Sequence, residues 1–218
     1  GGSTTTVKES SPTQKMIYGK VRVGGSIVFM DITGTDNEYL HLLVCFASHE
    51  VEEIEKIYFN DKEAWNSGSG GTKVAPFNAV ISGDGGDPDN PYVTVDLVEG
   101  GQTGALSPLV SRSTHWTTDH KNLGHVMVYF RLMWNDGDGS NGEGKSRSLF
   151  PQSIPNVTAL IKGKKVYDPR KDSTSAVYDS SLGVATHRLA TASTWQWSQN
   201  PALIVRDYMT DDKFGLKD

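Results

Sequence analysis

The sequence lacks several features that define common protein classes. It has one cysteine, Cys45, among 218 residues, so no disulfide can form within the chain and a disulfide-stapled miniprotein is excluded. No run approaches the roughly 18 apolar residues of a membrane-spanning helix. Basic residues are not in excess, since 21 Lys and Arg stand against 26 Asp and Glu, giving a net charge of −5. Without a basic field, nucleic acid and anionic membrane surfaces are poor candidates as partners.

The composition is that of a polar, loop-rich globular chain. Hydrophobic residues make up 36% of it, charged residues 22%, and there are 23 glycines. A chain of this length buries most of its apolar surface on folding and so can form a substantial core. Cys45 lies in an apolar run, residues 42–47, where we expect a small buried side chain.

Residues 1–14 are predicted to be a flexible lead-in. They are rich in Ser and Thr and have no apolar periodicity. The Gly1-Gly2-Ser3 start is typical of a linker or tag remnant. We therefore expect the folded part to begin near Lys15.

Alternating β-branched residues predict strands over most of the chain. Residues 16–23 and 26–32, separated by Gly24-Gly25, predict a tight hairpin with a two-residue glycine turn. The run 38–47 is apolar almost throughout, which predicts a central strand buried on both faces.

Two further segments read as strand, polar turn and strand. The first runs from 53–59 through Asn60-Asp61 to 63–65, and the second from 157–162 through Gly163-Lys164 to 165–168. Additional strands are predicted at 92–98 and 124–134.

Helical patterns are few. Residues 106–112 predict a short helix introduced by a Ser-Pro pair. Ser198 or Asn200 can serve as N-cap and Pro201 as first residue of a helix over 201–209, with an apolar face. We thus predict a mainly β (α+β) fold, an antiparallel sheet or barrel-like domain with long loops and a C-terminal helix. The predicted core consists of Ile17, Val28, Leu42, Val44, Phe46, Ile57, Phe59, Val95, Val126, Val128, Phe130, Ile161 and Leu203.

No enzyme signature is present. There is no Gly-x-Ser-x-Gly elbow, Walker loop or Gly-x-Gly-x-x-Gly, so we expect neither catalysis nor an organic cofactor. His115, His120 and His125 are spaced by five residues, which turns them to different faces of any regular element and disfavours zinc.

Two acidic loops could hold calcium by composition. The loop 136–147 begins like an EF-hand, but Asn141 stands where glycine is needed and Arg147 where a bidentate glutamate is needed. Asp84, Asp87 and Asp89 belong to a second Asp/Gly-rich stretch, a composition also typical of plain turns. We expect no metal, with calcium at these loops left open.

Tryptophans are the best interaction candidates: Trp65, Trp134, Trp195 and Trp197. Trp195 and Trp197 alternate in a polar stretch, so a strand would place both rings on one face, as in a glycan-stacking platform. The alternative for these large aromatics is a place in the core or in a protein interface.

Several strings in order along the chain resemble the tail tip attachment (host specificity, central tail hub) proteins of lambda-like long-tailed bacteriophages. The N-terminal strings are Tyr18-Gly19-x-Val21-Arg22-Val23-Gly24-Gly25, Val28-Phe29, Leu40-His41-Leu42, His49-Glu50-Val51 and Ile54. The C-terminal strings are Ile154-Pro155-Asn156-Val157-x-Ala159-x-Ile161-Lys162-Gly163-Lys164-Lys165-Val166-Tyr167-Asp168-Pro169-Arg170, Trp197-Ser198-x-Asn200-Pro201-Ala202-Leu203, Arg206-Asp207-Tyr208-Met209-Thr210 and Phe214-Gly215-Leu216. The resemblance spans residues 16–216.

This resemblance implies a structural role in the virion. The expected location is the phage tail tip, after synthesis in the bacterial host cytoplasm. The implied partners are other tail tip and tube proteins, two further copies in a homotrimer of the full-length protein, and a host receptor contacted through other regions.

The expected organisation has three parts. A lead-in at 1–14 precedes a β-rich hub domain at 15–198 with loop insertions near 66–91 and 135–151, and 199–218 is a helix leading into a following domain. The alternative function is a secreted or cell-surface glycan-binding β-domain.

Overall fold

The computed structural model describes residues 7–8, 15–80, 91–136, 145–151, 153–213 and 215–216. The strands are β1 (Val7–Lys8), β2 (Lys20–Gly24), β3 (Ser26–Thr33), β4 (Tyr39–Ala47), β5 (Glu53–Phe59), β6 (Lys62–Asn66), β7 (Thr72–Lys73), β8 (Val93–Glu99), β9 (Val126–Met133), β10 (Val157–Lys162), β11 (Lys165–Val166) and β12 (Gln196–Trp197). The helices are α1 (Ser107–Arg112), α2 (Lys145–Leu149) and α3 (Pro201–Thr210). Within these ranges, no helix has the length and apolar character to cross a membrane.

The first sheet is built around β4. Its strand order is β1-β3-β4-β9-β8, with all pairs antiparallel except the parallel pair β1–β3. β4 lies in the middle and is buried along nearly its whole length. Such a strand can be apolar throughout only because both faces of the sheet are covered. The predicted central strand is confirmed.

The second sheet has the order β2-β10-β5-β6-β7, and its pairs are all antiparallel. β5 and β6 form the predicted hairpin. Asn60 and Asp61 connect them with φ values of 46° and 67°. Asn and Asp tolerate this left-handed conformation better than other side chains, and two such residues in succession suit a tight hairpin turn.

The two sheets share one hydrophobic core. Leu42 and Val44 of β4 and Phe130 of β9 belong to the same buried cluster as Ile57 of β5 and Ile161 of β10. The mainly β fold is thus confirmed. Neither sheet closes on itself among the described strands, so the arrangement is two open sheets in two layers and the barrel-like alternative is wrong.

Eleven of the predicted core residues are buried. They are Ile17, Leu42, Val44, Phe46, Ile57, Phe59, Val126, Val128, Phe130, Ile161 and Leu203. Val28 and Val95 are only partly buried, and each packs against a cluster. Val95 belongs to β8, the edge strand of the first sheet, and Val28 lies where the register of the β3–β4 pair shifts.

The outer face of the first sheet has its own smaller core. Leu43, Met127 and Tyr129 point to that face and pack with Leu109 of α1 and Trp116. α1 occupies the predicted place of the short helix and has its proline in the first turn. This cover is what allows β4 and β9 to be buried on both sides.

The predicted glycine-turn hairpin is wrong. β2 and β3 follow one another, but β2 pairs with β10 in one sheet and β3 with β4 in the other. Gly25 donates its N–H to the Val157 carbonyl at 3.1 Å. A Cβ atom at Gly25 would lie 2.1 Å from Cγ1 of Val44 and 2.9 Å from the Phe46 ring. Glycine is needed here because the backbone crosses between layers against packed side chains.

The second predicted strand–turn–strand unit is also wrong as a hairpin. β10 pairs with β2 and β5, whereas β11 pairs with β12. Gly163 and Lys164, the expected turn, donate their N–H groups to the carbonyls of Gly19 and Ile17 at 2.7 and 2.8 Å. Because these donors bond to the segment before β2, the chain leaves the sheet instead of folding back on it.

The ends and excursions of the chain are described in part. Val7 and Lys8, inside the predicted lead-in 1–14, pair with Ser26 and Ile27, whereas residues 1–6 and 9–14 lie outside the described residues. Residues 81–90 and 137–144 of the two predicted insertions also lie outside them. α2 and the short β7 belong to these insertions.

Gly25 gives a direct test of the crossing. We expect Gly25→Ala to lower the free energy of unfolding by about 1–3 kcal/mol, because the new methyl group overpacks the core. Gly104→Ala is the matched control, since no atom lies within 4 Å of a Cβ built there. Its effect should stay within about 0.5 kcal/mol. Urea unfolding midpoints measure the stability of both variants. Equal stability of the two would contradict a close passage of the Gly25 backbone between the two sheets.

Candidate interaction surfaces

A group of buried polar contacts joins the start of the domain to α3. Tyr18 donates its hydroxyl to Oδ2 of Asp207 at 2.5 Å, and the Lys164 ammonium donates to Asp207 at 2.6 Å and Asp211 at 2.5 Å. Asp207 is only 4% exposed although it lies on a helix. Burial and the Asp207 carboxylate raise the pKa of Tyr18, which stays a neutral donor.

Backbone contacts complete this junction. Ile17 donates its N–H to Nε2 of His49 at 2.8 Å and accepts from Lys164 N–H at 2.8 Å. A Cβ atom at Gly163 would lie 2.1 Å from the Ile17 carbonyl oxygen. We call the set Ile17, Tyr18, His49, Lys164 and Asp207 the terminal clasp, because it holds the lead into β2 against α3.

α3 begins as predicted and presents an unexpected outer face. Asn200 is the N-cap, accepting from Ala202 N–H, and Leu203 is buried. The other apolar residues predicted for this helix are exposed: Val205, Tyr208 and Met209. The inner face of the helix is held by Leu203 and by the polar contacts of Asp207.

Exposed apolar side chains are also frequent outside α3. Among the described residues, most exposed large apolar side chains lie in the last fifth of the chain: Val177, Tyr178, Leu182, Val184, Leu189, Val205, Tyr208, Met209 and Leu216. We call this set the C-terminal apolar surface. Apolar side chains exposed together on one face, as Val205 and Met209 are on α3, are typical of sites that another molecule covers.

The irregular segment that carries much of this surface is organised by one buried carboxylate. Asp172, 1% exposed, accepts from the hydroxyl of Tyr167, the N–H and hydroxyl of Thr174, the N–H of Leu189 and the guanidinium of Arg188. These donors, with the Thr174 N–H first, hold the pKa of Asp172 well below its usual range. It therefore acts as a permanent anion around which the segment folds.

Asp172 was not predicted from the sequence as an organising residue. An available signal was the Asp-x-Thr spacing, since an Asp side chain commonly accepts from the backbone two residues on. The long-range donors, Tyr167 on one side and Arg188 and Leu189 on the other, have no such local signal.

Trp195 and Trp197 contact different parts of the domain. Trp195 donates its indole N–H to the Arg188 carbonyl at 2.9 Å, and Trp197 donates to the Gly19 carbonyl at 3.1 Å. Lys162 Nζ lies 5.7 Å from the centre of the Trp197 ring. Both indoles are half-buried. Each ring is thus fixed by its own partner within the domain.

Trp65 and Trp134 lie at the margin of the main core. Both are half-buried and pack against it. The Trp134 ring stacks on Phe150 with centroids 6.0 Å apart, and the Trp65 ring lies under Gly71. These two tryptophans contribute to packing of the domain.

The residues considered for metals lie apart. His115 is 3.3 Å from an Asp31 carboxylate oxygen, His120 stacks on Trp116, and His125 donates from Nδ1 to the Leu123 carbonyl. The described part of the chain holds no group of three or more His, Cys, Asp or Glu placed to bind a metal ion. Asp84, Asp87, Asp89 and Asn141 lie outside the described residues.

Cys45 is half-buried, although it lies on the central strand. It lines a cavity of about 260 Å³ together with Lys15 and Trp116. Burial raises the pKa of the Cys45 thiol, which favours the unreactive protonated form.

A second cavity lies beside the terminal clasp. It measures about 340 Å³ and is lined by His49, Glu50, Lys164, Lys165, Ala192, Ser193 and Trp195. Lys165 makes two long ion pairs at its edge, to Glu50 at 3.5 Å and Glu52 at 3.6 Å. The cavity combines one aromatic face with charged groups of both signs.

Comparisons with known proteins give a weak likeness to solved structures. No family model matches the sequence, and no curated protein matches it. Among solved structures, the chain is similar to one described as "Virion of native gene transfer agent (GTA) particle", with a TM-score of 0.45 and 11% identity over 85% of this chain. The chain spans 34% of the length of that chain. A likeness at this level establishes neither a family nor a function.

Asp172→Asn tests the role of the buried carboxylate. We expect trypsin to cleave after Arg188 several-fold faster in this variant, because an amide cannot accept on both of its atoms and the segment 173–189 loses its anchor. Asp179→Asn is the control, since that exposed carboxylate accepts only from Ser181 among the described contacts. Equal cleavage rates for Asp172→Asn and the parent chain would contradict this role.

Proposed function

We propose that this chain is a structural component of a bacteriophage tail tip, a fragment of the central hub or host-specificity protein that contributes to tail assembly and host attachment. It would act by binding other tail tip and tube proteins and, in the full-length protein, two further copies of itself. The proposed place of action is the virion. The proposal includes no catalytic step and no resident cofactor.

The observation that carries the proposal is the C-terminal apolar surface. Val205 and Met209 lie one helical turn apart and are 55% and 56% exposed, on the face of α3 opposite buried Leu203. Water-exposed apolar side chains at i and i+4 are suited to packing against another protein. A surface of this kind supports a role in assembly.

The strings behind the resemblance offer a second line of support. Strings far apart in the sequence meet in the terminal clasp: Tyr18-Gly19 contacts both Gly163-Lys164 and Asp207. They thus form one structural unit that supports α3. Their contact supports the resemblance as a set, since short strings of this kind taken singly are common.

A glycan-binding β-domain is the second candidate, and the cavity at Trp195 favours it. A fixed indole with Glu50 and Lys165 nearby offers an apolar face and polar groups, the combination that sugar rings require. The two-ring platform has less support, because Trp195 and Trp197 are each fixed by separate partners.

Self-association tests the first candidate. We expect light scattering to detect a concentration-dependent trimer, and expect Val205→Ser with Met209→Ser to weaken association at least about tenfold through the loss of buried apolar area. Leu123→Ser is the control, an exposed apolar residue elsewhere at 55% exposure. A chain that stays monomeric at every concentration, or association that the double variant leaves unchanged, would contradict assembly through α3.

Trp195→Ala tests the second candidate. If the cavity binds sugars, a glycan screen should return hits whose affinity falls about tenfold or more in this variant, as expected for loss of an aromatic stacking contact. Tyr178→Ala serves as control, because this exposed aromatic residue does not line the cavity. A screen without hits would exclude the glycan-binding candidate.

A further inference from the structure

His49 holds the terminal clasp in a way that only a neutral ring allows. It follows β4, is 7% exposed, and accepts the Ile17 N–H on Nε2. Its Nδ1 lies 2.7 Å from the Glu50 carbonyl oxygen, which can only accept, so Nδ1 carries the proton. A second proton would go to Nε2, where it would point at the N–H of Ile17.

Charged groups of both signs surround His49. Lys164, after β10, disfavours a protonated ring, whereas Asp207 of α3 and Asp211, the C-cap residue of that helix, favour it. Glu50 and Lys165 line the same cavity. Burial is the largest influence and lowers the pKa of His49 below its ordinary value.

Another buried histidine, His41, makes a useful contrast. His41, 1% exposed, has the hydroxyls of Thr33 and Tyr129 beside its two nitrogens, at 2.6 and 2.8 Å. Hydroxyls can rotate to accept, so this ring can take up a proton and keep both partners. The backbone N–H of Ile17 can only donate, so it cannot remain hydrogen-bonded to His49 once Nε2 carries a proton.

We propose that His49 makes the terminal clasp a pH-sensitive joint, in which protonation of Nε2 releases the segment 15–18 from the end of β4 and weakens its hold on α3. The coupling is direct, because Tyr18 in that segment donates to Asp207 of the helix. Apart from Ile17, whose side chain packs in the main hydrophobic cluster, the residues of the two-sheet core are not part of the joint. The proposal stands independently of the tail tip assignment.

The direction of the pH effect follows from the sign of the shift. A histidine whose pKa is lowered by folding stabilises the folded arrangement fully above its ordinary pKa of about 6.5. That contribution is lost progressively as the pH falls from there towards the folded-state pKa. The joint is therefore closed at neutral pH and opens in mild acid.

Hydrogen exchange of single amides, followed by NMR, tests the joint. After correction for intrinsic exchange, we expect protection of the Ile17 amide to fall about tenfold per pH unit below about pH 6.5, until the folded-state pKa is reached. Amides of β4 and β9, such as Leu42 and Val128, should keep their protection. Unchanged protection of Ile17 down to about pH 5 would overturn the proposal.

Two variants identify the responsible ring. His49→Gln offers an uncharged acceptor in place of Nε2, so the acid-induced loss at Ile17 should disappear. His187→Gln is the matched control, because Nδ1 of His187 accepts a backbone N–H from Asp168 elsewhere in the domain. Loss of the pH effect with His187→Gln, or its persistence with His49→Gln, would overturn the proposal.

A direct titration covers the case in which His49→Gln does not fold. The imidazole resonances of His49 in the parent chain should titrate together with the Ile17 amide, at a pH below 6.5. A ring that titrates while Ile17 stays protected would show that protonation does not open the joint.

Discussion

The structure depends on covering both faces of the β4–β9 pair. These two strands are apolar along almost their whole length, and a sheet exposed on one face would leave half of those side chains in water. The second sheet covers one face, and α1 with Trp116 covers the other. Each side chain buried in this way contributes about 1.5–3 kcal/mol relative to exposure. The rest of the fold is arranged around the need for two covers.

Polar groups take over this organising role in the last third of the chain. The segment around Asp172 and the junction at Asp207 are each built on one buried carboxylate that accepts from several donors. A buried anion is tolerated only where donors surround it, and then it fixes their positions closely. Few apolar residues are needed for such a structure. The backbone that carries Val184 and Met209 can therefore be held in position by polar contacts while these two side chains are exposed.

Local contacts of this chain are predictable from its sequence, whereas long-range contacts are not. The hairpin at Asn60-Asp61 and the cap at Asn200 were predictable because the residues that determine them are neighbours in the chain. The central strand was predictable because its composition alone demands burial. Gly25 and Gly163 were misread as turn residues, since a turn and a close crossing both require glycine and only the distant contacts, Val44 and Ile17, distinguish them. For the same reason, the contacts of His49 and Asp172 could not be read from the sequence.

Apolar packing and polar contacts respond differently to pH. Apolar packing in the two-sheet core does not depend on protonation, whereas the contacts that hold the ends of the domain are made by groups that change charge or require a neutral partner. Acid therefore acts first on the lead into β2 and on α3, the element that presents Val205 and Met209. If α3 packs against another subunit, that contact would add to the stability of the clasp, because binding stabilises whichever state it selects. Assembly would then shift the opening of the joint to lower pH. The pH at which the terminal clasp opens would therefore depend on whether a partner is bound at α3.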